Sequence, residues 1–256
     1  MNLSTTSKIT WCPGCPNNQI LVSFRKAVTE LCDEQRMKIE NLVAVAGIGC
    51  HGKITDYLNT NSFECLHGRA IPTAVGMKIA NHDLNVVVFS GDGDSYSEGL
   101  SHLVHAAQRN PDVNIFIHDN QVFALTTGQA TATSPKGYKG NSMPRGSIDQ
   151  PLNPVLLMLA SGASFVARAY AGDMASTTKI MKAAIAHKGF AFVDIIQPCI
   201  TFLDTRDHFK EATYQIPDDS PKDNLDNAFA LARTDGAKVP LGIFYAVERP
   251  TLESQI

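Results

Sequence analysis

The stretch Val86-Val87-Val88-Phe89-Ser90-Gly91-Asp92-Gly93-Asp94 decides the fold. Its apolar half is short and runs into a glycine turn, the pattern of a buried strand. That strand delivers a glycine-flanked carboxylate. About one helix and one strand later comes Asp119-Asn120-Gln121-Val122, which puts an amide in a second loop. In a parallel sheet, ligands gather beyond the carboxyl ends of the strands. Hard oxygen ligands from two neighbouring ends suit a magnesium ion holding a diphosphate, whose oxygens complete the shell. Two plainer readings use the same residues. Asp92-Gly93-Asp94-Ser95 could open a calcium loop. That loop wants Gly at its sixth position and Glu at its twelfth, where this chain has Ser97 and Leu103. The run could also be a surface turn.

Outward from this stretch, strands and helices alternate. Residues 42–46, 113–118, 164–170 and 190–196 read as further strands. Residues 17–40, 69–81, 96–109, 154–160 and 174–187 read as helices, the first with apolar positions at Ile20, Leu21, Phe24, Val28 and Leu31. The alternation argues an α/β fold, a mostly parallel sheet with helices on both faces. The turn Gly47-Ile48-Gly49-Cys50, the Gly91–Asp94 turn, the Asn120 loop and Cys199 each follow a predicted strand, so they converge on one edge of the sheet. Residues 202–238 are polar and charged without a clear period, and read as an irregular C-terminal arm. Residues 239–244 are apolar enough to dock again. The expected organisation is one site-bearing α/β domain over 1–200 and an arm over 201–256, packed on that domain or on a partner subunit.

The chain has 256 residues, 44% of them hydrophobic, enough for a full core, and a formal charge of −3. That charge gives no general attraction to nucleic acid or to a membrane surface. Residues 1–10 are polar and lack the apolar centre of a signal peptide. Residues 154–172 are apolar but contain serines, glycines and Arg168, so they read as helix, turn and strand instead of a membrane span. The cytoplasm is the expected location.

Six cysteines stand at 12, 15, 32, 50, 65 and 199. In a cytoplasmic chain they are ligands or free thiols sooner than disulfides. Trp11-Cys12-Pro13-Gly14-Cys15 has the spacing at which two thiolates face one ion or cluster, with Gly14 allowing the tight turn. Cys50 and Cys199 follow strands at the expected ligand edge, and Cys65 competes with them. Cys32 lies in the first helix and reads as a small buried hydrophobe. A structural zinc, a redox pair and a [4Fe–4S] cluster all remain open on the cysteines alone.

The GDG of residues 91–93, followed after one further strand by Asn120, resembles the thiamine-diphosphate (ThDP) motif. More widely, WCPGC at 11–15, GIGCHGKI at 47–54, HGRAIP at 67–72, GDGD at 91–94, DNQVFALTTGQ at 119–129 and QPC at 197–199 resemble the β subunits of 2-oxoacid:ferredoxin oxidoreductases. Two positions depart from the family pattern. Asp119 replaces the first asparagine of an NNQ run, and Pro16 stands where glycine is frequent. The resemblance implies the diphosphate-half ThDP-binding fold and a set of roles. Cys12, Cys15, Cys50 and Cys199 would hold one [4Fe–4S] cluster. Asp92, Asn120 and the Val122 carbonyl would bind Mg²⁺. Gly93, Asp94, Ala124 and Leu125 would line the diphosphate. Ile48, Gly49, Cys50 and His51, with His67, Gly68 and Arg69, would contact ThDP. Lys53 would meet the distal carboxylate of a dicarboxylic substrate.

The implied activity is oxidative decarboxylation of a 2-oxoacid to an acyl-CoA, with electrons passed to ferredoxin. TTGQ at 126–129 and Lys53 lean toward 2-oxoglutarate. The glutamate that activates ThDP would come from a partner α subunit. A cluster-free ThDP decarboxylase subunit would leave WCPGC unemployed, and a zinc-bearing binding module would leave Asp92 and Asn120 idle.

Overall fold

Val86 and Val88 bury in one core, and Val87 and Phe89 in another, as a two-residue period requires. A strand loaded on both sides needs helices above and below it. The computed structural model describes residues 2–233 and 237–256 and has that layering. In chain order its elements are α1 (Asn17–Asp33), β1 (Leu42–Ala46), α2 (Ile54–Tyr57), β2 (Asn61–Glu64), α3 (Ala70–Ala80), β3 (Asn85–Gly91), α4 (Leu100–Arg109) and β4 (Val113–Asp119). The short pair β5 (Val122–Phe123) and β6 (Gln129–Ala130) follows, then α5 (Pro154–Ala160), β7 (Phe165–Tyr170), α6 (Met174–Ala186) and β8 (Ala191–Ile196). The last elements are α7 (Arg206–Ala212), β9 (Thr213–Gln215), α8 (Leu225–Ala232) and β10 (Val239–Ala246).

The eight-stranded sheet runs β2-β1-β3-β4-β8-β7-β10-β9. Only β10 against β7 is antiparallel among its described pairs. One core packs α1 and α6 on the sheet, and the other packs α3, α4, α5 and α8 on the opposite face. Among the described residues no helix is long and apolar enough to cross a membrane.

Several elements differ from the sequence reading. The first helix stops at Asp33, not near residue 40, because Gln35 takes a left-handed conformation (φ 56°) and the Arg36 amide turns back to the Leu31 carbonyl. Cys32 in that helix is half-buried at the core margin. The helix expected from Tyr96 is preceded by a π-helical turn, Gly93–Glu98, and α4 begins only at Leu100. The edge strand β2 was not foreseen. The polar residues 202–238, expected to be irregular, carry α7, β9 and α8, and β10 then completes the sheet beside β7. Residues 234–236 of that stretch, and Met1 of the polar N-terminal one, lie outside the described residues.

Candidate active site

Loops leave the carboxyl ends of β1, β2, β3 and β4 on one side of the sheet. A cleft with about 400 Å³ of empty space, partly open to solvent, lies between them. Ile48, Gly49, Cys50 and His51 line it from the first loop and His67 from the second. Asp92, Gly93 and Asp94 come from the third, and Asn120, Val122, Ala124 and Leu125 from the fourth. The carboxylate and amide read from the sequence thus meet in one cavity.

Asp92 is buried, and its Oδ2 accepts hydrogen bonds from Thr131 (2.5 Å) and Thr133 (3.3 Å). Burial pushes its carboxyl up to about 6, against those hydroxyl bonds. Asn120 Oδ1 accepts the Val122 amide at 3.1 Å, which curls the loop around the amide. Gln121 between them is left-handed (φ 63°). Carboxylate, amide and peptide oxygens form a hard donor set that suits Mg²⁺. Asp119 is not in the cleft lining, though it shares Thr133 with Asp92. Its Oδ1 accepts from Thr133 at 2.8 Å, and burial, with Asp194 and Asp92 nearby, pushes its carboxyl well above the usual range.

Asp94 lines the cleft, but its oxygens are already engaged. Oδ1 accepts the amides of Gly68 (2.7 Å) and Ile48 (3.3 Å), and Oδ2 accepts the Ser90 hydroxyl (2.5 Å). His51 Nε2 lies 3.6 Å from Oδ2 and His67 Nδ1 lies 3.5 Å from Oδ1. Burial would raise this carboxyl, but the His51 contact and the hydrogen bonds outweigh it and hold the group low. Asp94 therefore ties together the loops after β1, β2 and β3. Gly47 makes this approach possible, since a Cβ there would fall 1.7 Å from Asp94 Oδ2.

The remaining expected contacts are placed less directly. Gly68 is buried behind His67 as the amide donor to Asp94. Arg69 is exposed at the start of α3, against His102, outside the cleft lining. Lys53 is half-buried, close enough to Cys50 to lower its thiol pKa, and also outside the lining. Phe123, Thr131 and Thr133 were missed. The Phe123 ring covers Gly93 and lies 5.9 Å from the His67 ring. The one sequence signal for the hydroxyls was the Thr131-Ala132-Thr133 run.

Beside the cleft the chain ends its N-terminal turn. The Cys15 amide donates to the Cys12 carbonyl at 3.0 Å, with Gly14 at φ 80°. Trp11 packs edge-on against Tyr57 and donates from Nε1 to the Cys50 carbonyl at 2.6 Å, which fastens the turn to the loop after β1. Cys12, Cys15, Cys50 and Cys199 lie within electrostatic reach of one another. Burial, then the other three sulfurs, pushes the Cys50 thiol up to about 11. Cys65 stands apart near Thr73 and Asp94. Among the described residues no three His, Cys, Asp or Glu side chains close on a single ion, the arrangement that a zinc site needs. Four thiols within one another's electrostatic reach are the donor set that a [4Fe–4S] cluster would take.

A family model described as "Thiamine pyrophosphate enzyme, C-terminal TPP binding domain" matches residues 47–195. The β subunit of a 2-oxoacid:ferredoxin oxidoreductase from Sulfolobus sp is 40% identical over 262 residues, covering 96% of this chain and 85% of that one. This chain belongs to that family of β subunits. A second family model, for the C-terminal part of the pyruvate ferredoxin oxidoreductase β subunit, matches residues 199–256. The 2-oxoglutarate oxidoreductase subunit KorB of Mycobacterium tuberculosis is 41% identical over 203 residues, 79% of this chain and 53% of that one. A solved 2-oxoglutarate:ferredoxin oxidoreductase from Magnetococcus marinus, with 2-oxoglutarate, coenzyme A and succinyl-CoA bound, superposes on this β subunit at a TM-score of 0.95. It is 36% identical, and the match covers 99% of this chain and 86% of that chain. The family resemblance read from the motifs and the α/β fold both hold.

Proposed function

We propose that this chain, with an α subunit in the cytoplasm, oxidatively decarboxylates a 2-oxoacid, 2-oxoglutarate foremost, to an acyl-CoA and CO₂, and passes the electrons to ferredoxin. One observation carries the reading: Cys50 lines the cleft that holds Asp92 and Asn120 and also belongs to the four-cysteine group. An electron acceptor held by those sulfurs would abut a cofactor held by those oxygens. When bound, ThDP supplies a nucleophilic carbon and an electron sink, and a [4Fe–4S] cluster accepts electrons singly.

The residues of this chain do the rest. Asp92, Asn120 and the Val122 carbonyl would hold Mg²⁺, with Gly93, Ala124 and Leu125 around the diphosphate. Ile48, Gly49, His51 and His67 would bound the cofactor, with Gly68 positioning Asp94 and Arg69 at the rim. Cys12, Cys15, Cys50 and Cys199 would hold the cluster. Asp94 keeps the loops in place, and Phe123 shields the Gly93 turn from water. An activating glutamate would come from the α subunit. Lys53 would meet a distal carboxylate. The KorB relatives and the 2-oxoglutarate-bound neighbour support that substrate.

The test is anaerobic purification of the complex with its α subunit, with iron, sulfide and zinc analysis and turnover on 2-oxoglutarate, pyruvate and 2-oxoisovalerate. Iron with sulfide, and CoA-dependent reduction of ferredoxin, are expected. Zinc without iron, or oxoacid turnover by the lone chain, overturns the reading.

A further inference from the structure

Three amide groups in the protein interior lie against Cys15. Gln197, from the QPC motif, is 2% exposed, and its Oε1 has no hydrogen-bond partner among the described residues. Its Nε2 points at Cys15 Sγ from 3.7 Å, with only the Pro198 carbonyl, at 3.4 Å, as a further acceptor. Asn17, in the first turn of α1, is completely buried, and its Nδ2 has no hydrogen-bond partner among the described residues. The third amide is the Asn17 backbone N–H, at a helix end where such donors lack intrahelical acceptors. The backbone and side-chain N–H groups of Asn17 both face Cys15. A buried amide N–H costs stability unless something accepts its proton.

His118 explains which way the Asn17 amide faces. Its Nδ1 lies 2.7 Å from Asn17 Oδ1. An amide oxygen only accepts, so Nδ1 carries the proton and donates. That bond commits the oxygen of Asn17 to His118 and turns its NH₂ toward Cys15. The ring sits at the end of β4, 6.0 Å from the ring of His51 in the cleft wall.

We propose that Asn17 and Gln197 donate N–H···S hydrogen bonds to the Cys15 thiolate and so raise the reduction potential of the cluster, with His118 as the residue that positions Asn17. The proposal rests on the cluster reading above. Reduction adds negative charge to the sulfurs, so donors aimed at sulfur stabilise the reduced form more than the oxidised one.

The experiment is an EPR-monitored redox titration of the anaerobic complex, alongside iron and sulfide analysis. Asn17→Leu and Gln197→Met should each move the midpoint to more negative potential with the cluster content unchanged. His118→Phe should shift it the same way in the native background and add nothing to Asn17→Leu, as expected of a residue acting through Asn17. As a second measurement, side-chain ¹⁵N labelling of asparagine and glutamine in the unmutated complex should give ¹⁵N couplings to the reduced cluster. Native potentials in fully loaded variants overturn the proposal and leave the cluster reading standing. Should the substitutions prevent loading, absent ¹⁵N coupling in the unmutated complex overturns it. Native complex without iron and sulfide fails the cluster reading instead.

Discussion

Asp92 and Asp94 are two residues apart, equally buried, and tuned in opposite directions. Asp92 lacks a counter-charge and its carboxyl rises to about 6, whereas Asp94 gathers histidine and N–H partners and stays low. In its proposed role, Mg²⁺ would need the ionised form of Asp92. Protonation competes with the cation below that value, so affinity should fall by about tenfold per pH unit under pH 6 and level off above it. Magnesium titration of the ThDP-saturated complex, across pH 5 to 8, checks the slope. Gly47→Ala should be far more harmful than a methyl group suggests, because the new carbon overlaps the Asp94 carboxylate. A loss of about 2–3 kcal/mol is expected, seen as a fall in Tm together with loss of ThDP-induced stabilisation. The residues flanked by glycine at strand ends were legible because the ligand and the turn that presents it share one short motif. Thr131 and Thr133 were not, since hydroxyls reaching back across a loop follow no spacing. The role of Asp94 as a tie between loops was hidden too, because two of its partners are backbone amides.

At the level of elements, the core strands could be read because both faces are apolar. The edge strand β2 escaped because Asn61-Ser62-Phe63-Glu64 is exposed throughout and pairs through its backbone alone with β1. The end of α1 escaped because Asp33-Glu34-Gln35-Arg36 contains no glycine or proline to mark it. Asn110 closes α4 in a left-handed conformation (φ 57°) and is almost fully buried. Its Oδ1 accepts from Ser164 (2.6 Å) and the Phe190 amide (2.9 Å), and its Nδ2 donates to the Arg249 and Pro250 carbonyls. Asn110→Ala should cost about 3 kcal/mol through backbone strain and unpaired buried groups. Hydrogen exchange should show residues 247–256 loosening ahead of the sheet.

Across the whole molecule, the polar C-terminal quarter was the hardest part to read. Its strands depend on a neighbour already in place: β10 takes the free edge of β7, and β9 then follows β10. Ending the chain before Val239 should bare the β7 edge and turn the protein into aggregate, measurable by size-exclusion chromatography. The knot at Asp94 has a different consequence, for the order of assembly. Because one carboxylate already clamps the walls of the cleft, an empty subunit should keep the shape of a loaded one. Uptake of the coenzyme then needs little rearrangement and follows simple one-step kinetics. The Ile48 and Gly68 amides should exchange slowly before any cofactor arrives, and the chain waits for its partner without losing its receptor.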